Sequence, residues 1–156
     1  MLKFSGKSVL SGVAIGKLYI FKKQEYTLVK KTVEDAEAEV ARFQDACEKA
    51  KEQLQKLYEK TVAEVGEDHA VIFEAHQMML EDLDYVEAIE AKIRDEKVNA
   101  EFAVSVTGDE FAETFAMMDD EYFKARSADV LDITKRVVNV LAGIKEAGID
   151  SEEPVI

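Results

Sequence analysis

TVEDAEAEVARFQDACEKAKEQLQKLYEKTVAEVG, residues 32–66, decides the fold. Val33, Ala36, Val40, Phe43, Cys47, Ala50, Leu54 and Leu57 recur three or four residues apart. At that period side chains stack on one face of a helix. Thr32 as N-cap with an acid, Asp35, three residues on reads as a capping box. The spacing predicts a helix reaching about Val65, roughly 50 Å long at 1.5 Å per residue. Gly66 ends it, since glycine adopts the positive φ that closes many helices. So long a helix with a single apolar seam needs other helices to cover that seam. Cys47 keeps the register of the seam, so it reads as a small buried hydrophobe and not as a nucleophile.

Downstream, a second helix begins at Glu67 or Asp68 and runs through Leu80 to about Glu81. A break at Glu81–Asp84 leads to a short helix with Val86, Ile89 and Ile93 on one side. Asn99 caps a helix carrying Val104, Phe111, Phe115 and Met118, and Asp119–Asp120 cap the last one. Val130, Ile133, Val137, Leu141 and Ile144 form its seam, closed near Gly143. Upstream, LKFSGKSVL (2–10) and AIGKLYIF (14–21) are short, β-branched and aromatic, and read as two strands about a Ser-Gly turn. EEPVI (152–156) reads as the beginning of another strand. Two strands and a stub do not make a self-sufficient sheet. The expected fold is therefore mostly α: a four-helix bundle, its second helix broken, inserted into a truncated small α/β domain. Residues 1–31 would open that domain, 32–145 form the bundle, and 146–156 return.

The chain has 156 residues and 47% hydrophobic content, enough for one real core, with a single Pro and no Trp. A net charge of −13 argues against nucleic acid and against an anionic membrane surface, both of which call for clustered Lys and Arg. Apolar runs are only a few residues long, and the N-terminus lacks the apolar stretch of a signal peptide. One cysteine makes no internal disulfide, which fits a reducing cytoplasm.

Residues 61–90, TVAEVGEDHAVIFEAHQMMLEDLDYVEAIE, hold nine Asp or Glu and no Lys or Arg. At 100° per residue the apolar side chains from Val71 to Leu80 cover an arc of about 220°, more than a bundle helix turns to its core. The surplus around Val71, Ala75 and Met78 is either covered by a second neighbour or exposed within an acidic rim. Methionine suits an adaptable contact surface, and carboxylates steer a cationic partner. His76 lies inside the arc, where a lone histidine is ordinarily a hydrogen-bonded core or rim residue. His69 and His76 share a face about 10 Å apart, too far for one metal ion, and no Glu-x-x-His pair exists. Ser11–Gly16 matches no phosphate-cradling template. Arg126 stands near Asp119, Asp120 and Glu121, suited to an intrahelical ion pair or to an exposed hydrogen-bonding role. No nucleophile, base and orienter assemble into a catalytic set.

Taken together, SGVAIGKLYIF, AVIFEAHQMMLEDLDYVEAIEAKI, NAEFAV and MDDEYFKARSADVLDITKRVVNVLAG resemble the N-terminal domain of Enzyme I. That enzyme is the phosphoenolpyruvate–protein phosphotransferase of the bacterial sugar phosphotransferase system. The resemblance implies a helical bundle that binds the carrier protein HPr, set into an α/β part that holds a phosphorylated histidine. It places Glu67, Asp68, His76, Met78, Met79, Asp82, Asp84, Tyr85, Phe115, Tyr122, Phe123 and Arg126 on the HPr-binding surface. The implied activity is phosphoryl transfer, with Mg2+, from phosphoenolpyruvate to an enzyme histidine and then to HPr, and the parent would dimerise through a C-terminal domain. The family's Thr-Ser-His loop does not occur in this sequence. The expectation is therefore a docking segment that is inactive alone, monomeric, and without metal or cofactor. Leu10-Ser11-Gly12 stands where the family has Ser-Pro-Gly, and Phe115, Met118 and Phe123 stand where it commonly has Leu. The rival reading is a structural helical module with no docking role, and a further alternative is the equivalent domain of the nitrogen-linked pathway.

Overall fold

Five helices build the bundle: α1 (Ala36–Val65), α2 (Glu67–Leu80), α3 (Leu83–Glu96), α4 (Ala100–Ala116) and α5 (Glu121–Leu141). The computed structural model describes residues 25–145 together with Lys3, Ser5, Gly6 and Ile20. The chain divides into two compact units, Met1–Gln24 with Glu146–Ile156, and Glu25–Lys145. The helices all lie in the second unit. The strands expected over 2–10, 14–21 and from Glu152 fall, apart from those isolated positions, outside the described residues. Among the described residues the only β pairing is an isolated antiparallel bridge, Thr32 with Val98.

That bridge corrects the expected start of α1. Val33 N–H donates to the Lys97 carbonyl at 2.8 Å and Asn99 N–H to that of Lys31 at 3.0 Å, so residues 31–33 are extended. Thr32 therefore lies four residues ahead of the first helical residue, Ala36, too far to cap it. Asp35, the expected N3 acid, is the N-cap instead, accepting from Ala38 N–H at 3.1 Å. From there α1 runs 30 residues, about 45 Å, and ends at Gly66 as the sequence indicated. Gly66 has φ +101° and ψ 165°, a region essentially confined to glycine, and it serves both as C-cap of α1 and N-cap of α2.

α1 buries Val40, Phe43, Ala46, Cys47, Ala50 and Leu54, so the predicted seam is the core face, with Leu57 half-buried at its end. Burial pushes the Cys47 thiol up to about 12, leaving it protonated and inert. Across from it lie Ile89 and Ile93 of α3, Val104 of α4, and Val130, Ile133 and Val137 of α5, all but fully buried. The expected break in the second helix separates α2 from α3 completely. There Asp82 caps α3, accepting from Tyr85 N–H at 3.1 Å. Met118, expected on α4, lies beyond its end at Ala116.

α4 and α5 approach closely at Gly108. A Cβ there would sit 2.5 Å from Cγ2 and 2.8 Å from Cβ of Thr134. The Thr134 hydroxyl is also engaged, 2.9 Å from the Tyr85 hydroxyl. Burial pushes the Tyr85 phenol well above its ordinary value, with the Thr134 hydrogen bond opposing.

A polar hub fastens one end of the bundle. Arg42 forks onto Glu101, Nη1 to Oε1 at 2.9 Å and Nη2 to Oε2 at 2.6 Å, and Nη1 also reaches the Leu141 carbonyl at 3.4 Å. Asn99 stands at the N-cap of α4 as predicted, but its side chain does not cap. Its Oδ1 accepts from Lys31 N–H at 2.7 Å, and its Nδ2 donates to the Val29 carbonyl at 3.0 Å and to Glu101 at 3.2 Å. Glu39 of α1 takes over the capping, accepting from Ala100 N–H at 2.8 Å. Burial alone would raise the Glu101 carboxyl. The Arg42 bond, a backbone N–H, the Arg42 charge and Asn99 overcome that and hold it below its ordinary 4.5.

Two outcomes follow for stability. Gly108→Ala should lower it by about 1–2 kcal/mol, because overpacking at about 1–3 kcal/mol outweighs about 1 kcal/mol of helix propensity. Turning the Thr134 side chain cannot move its Cβ, so the helices must part. Urea titration followed by circular dichroism measures this, and an unchanged midpoint would contradict it. Because Glu101 has a depressed folded value, its contribution is complete above pH 4.5 and drains away as pH falls through the lower folded value. The stability of Glu101→Gln should therefore be lower than wild type near neutrality and should fall less steeply below pH 4.5.

Candidate functional site

α2 leaves part of its apolar arc in solvent. Val71 is 50% exposed, Ile72 49% and Met78 72%, while Ala70, His76 and Leu80 face inward. Of the surplus, Val71 and Met78 are therefore uncovered by the bundle, while Ala75 is half-buried. Leu83 at the start of α3 is 70% exposed and extends the strip.

Beside Met78 opens a groove of about 340 Å³. Met78 and Met79 form its α2 wall, and Asp82, Asp84 and Tyr85 close it where α2 gives way to α3. Phe111 and Phe115 come from α4, and Tyr122, Phe123 and Arg126 from α5, with Val130 and Ile133 deeper down. Three aromatic rings shape the far wall. Phe115 stacks on Phe123 at 6.0 Å, and Tyr122 meets Phe123 edge-on at 5.4 Å. Such pairs hold rings in fixed orientation beyond their simple burial. Asp120 caps α5 by accepting from Tyr122 N–H at 2.8 Å, which orders the turn that presents these rings.

Of the two roles open to it from the sequence, Arg126 takes the hydrogen-bonding one and not the ion pair with Asp119, Asp120 or Glu121. Its Nη2 donates to the Tyr122 hydroxyl at 2.8 Å, and its guanidinium lies 5.1 Å from that ring's centre. Glu121 pairs with Lys124 at 3.1 Å instead. The guanidinium leaves most of its donors available. The site thus offers an apolar floor, carboxylates at one end and a cation at the other.

Nine of the twelve positions singled out by resemblance line this groove. Glu67 and Asp68 do not: they sit in the first turn of α2, where a negative charge complements the helix dipole. Eleven residues of helix put Glu67 about 16 Å from Met78. His76 is buried, its Nε2 3.2 Å from Asp129 Oδ1. Tyr85 is buried too and forms the floor, meeting Phe111 edge-on at 5.6 Å. Phe111, Val130 and Ile133 had read as bundle seam and are also groove lining. Asp129 escaped notice because nothing in one sequence pairs it with His76. Met117, 82% exposed, fell outside the helical pattern that was followed.

A larger cleft of about 530 Å³ lies between α1 and α2, and five of its polar side chains bond to one another. Lys51 pairs with Glu48 and Glu81, and Gln77 bonds to Gln55. Among the described residues no cluster of His, Cys, Asp and Glu could hold a metal ion, and no helix is long and apolar enough to cross a membrane.

Comparison with known proteins agrees with this architecture. The profile of the family described as PEP-utilising enzyme, N-terminal, matches residues 5–126. The phosphoenolpyruvate-protein phosphotransferase of Bacillus subtilis (strain 168) is 40% identical over 158 aligned residues, covering 100% of this chain and 28% of that protein. A solution structure of Enzyme I superposes with a TM-score of 0.83 at 34% identity, over 90% of this chain and 58% of the other. The N-terminal domain of "Enzyme 1 - Nitrogen" matches with a TM-score of 0.69 at 25% identity, over 78% and 50%. This chain thus spans little more than a quarter of the length of the phosphotransferase it matches. An Enzyme I-like bundle and a profile match over most of the chain lead to one conclusion: it belongs to the PEP-utilising enzyme N-terminal family.

Proposed function

We propose that this chain is the carrier-docking part of a phosphoenolpyruvate–protein phosphotransferase, and that its groove receives the phosphocarrier HPr. The observation that carries this reading is Met78, 72% exposed at the lip of an aromatic-floored groove with carboxylates beside it. A bundle that needed this face for its own stability would have covered it. Apolar contact at the centre supplies affinity, while the acids of α2 and α3 accelerate the approach of a basic partner. Arg126, already oriented by Tyr122, offers a pre-organised fork to a carboxylate or carbonyl on the carrier.

The docking part contributes position, not phosphoryl chemistry. It would hold the carrier's histidine where an enzyme phosphohistidine can reach it, and the sequence holds no Thr-Ser-His loop of its own. The reading as a purely structural module is disfavoured by the exposed methionine. The nitrogen-linked variant remains the second reading, supported by a structural likeness of the same kind but lower score.

Titration of isotope-labelled HPr with this chain should move carrier amide signals at low salt, with affinity falling as salt rises from about 0.05 to about 0.5 M. Asp84→Lys should slow association by about threefold to tenfold with little change in dissociation. Asp84 suits this test better than Asp82, whose carboxylate caps α3. An absence of any shift at low salt would defeat the docking role. Mild peroxide gives an independent check: Met78 and Met117, 72% and 82% exposed, should oxidise well before Met79, as read by peptide mass spectrometry. Bound HPr should protect Met78 and spare Met117, and failure of that protection would move the docking surface elsewhere.

A further inference from the structure

His76 and Asp129 meet between the two helices that wall the groove. His76, 7% exposed, precedes Met78 and Met79 on α2 by two and three residues. Asp129, on α5, follows Arg126 by three and precedes the groove residue Val130 by one. Nε2 lies 3.2 Å from Oδ1. A carboxylate can only accept, so with Asp129 in that form the bond calls for the Nε2–H tautomer. Leu80 of α2 shares the apolar core with Val130 and Ile133 of α5, and such packing is non-directional and lets one helix roll against the other. A hydrogen bond from a buried ring resists that roll, because breaking it leaves the N–H of His76 without its partner, while Asp129 is 23% exposed at its side chain.

We propose that His76 is a positioning residue. Through Asp129 it fixes the rotation and spacing of α2 against α5, and with them the separation of the methionine wall from the Tyr122–Phe123–Arg126 wall. Its burial takes it out of direct contact with a partner and gives it this indirect duty. The functional meaning rests on the docking reading above, while the structural content can be read in the free protein.

The test uses three variants of the 156-residue chain. His76→Leu keeps apolar volume and removes the donor. His76→Gln places an amide N–H close to where Nε2 stood. Asp129→Ala removes the acceptor and serves in place of His76→Leu should that variant fail to fold by circular dichroism. In the free protein, His76→Leu should move the methyl signals of Met78 and Met79 and the ring signals of Phe123, and His76→Gln should not. Against HPr, His76→Leu should weaken binding about tenfold, and His76→Gln should stay within about twofold of wild type. A folded His76→Leu chain with unmoved methyl signals and wild-type affinity overturns the proposal. So does a folded His76→Gln chain that behaves like His76→Leu, since packing alone would then explain both. A wild-type chain that ignores HPr while His76→Leu still shifts the groove signals would sink the docking reading and leave the positioning role standing.

Discussion

Helix α2 carries more apolar surface than its neighbours can cover, and the site is a consequence of that excess. Ala70, His76 and Leu80 turn inward while Val71, Ile72 and Met78 stay in water. Leaving such side chains exposed forgoes the burial energy a core position would gain, on the order of 1.5–3 kcal/mol for each large one. The rest of the bundle supports the exposure. Long α1 supplies a full seam of its own, and α4 and α5 close tightly on each other at Gly108. The core therefore does not need the outer face of α2. The aromatic wall on α4 and α5 then turns an exposed strip into a groove with depth.

Polar groups set geometry where apolar packing leaves freedom. Asp35, Asp82 and Asp120 fix the starts of α1, α3 and α5 through backbone N–H bonds. Arg42, Glu101 and Asn99 gather four separate stretches of chain into one cluster. Glu101 is a buried carboxylate whose cost in desolvation is met by a bidentate guanidinium and an amide. Removing one member would leave the others uncompensated, so the cluster fixes a unique arrangement more than it adds stability. The groove wall follows the same pattern, with Tyr122 orienting Arg126.

Much of the bundle was legible in the sequence because helical periodicity is a local signal. The seam of α1, the stop at Gly66, the break after Leu80 and the closure near Gly143 all depend on residues within a turn or two. The capping box at Thr32 misled because the competing interaction was distant: Lys97 and Asn99 hold that backbone in an extended bridge, and no local rule anticipates it. Asn99 was placed correctly but given the wrong duty for the same reason, its side chain being drawn to Val29 and Lys31. In the site, arc width left Met78 either covered by a second neighbour or exposed, and the groove lining at Phe115, Tyr122, Phe123 and Arg126 came from family likeness. The bond from His76 to Asp129 spans 53 residues of chain, and a single sequence has no term that couples such positions.

Val29, where the chain approaches the bundle, and Leu141, where it departs, both bond to the same small cluster around Glu101. Entry and exit therefore coincide in space, whatever the length of chain between them. The two ends of the helical unit are thus pinned by one set of hydrogen bonds, so loosening any member of it would free both at once.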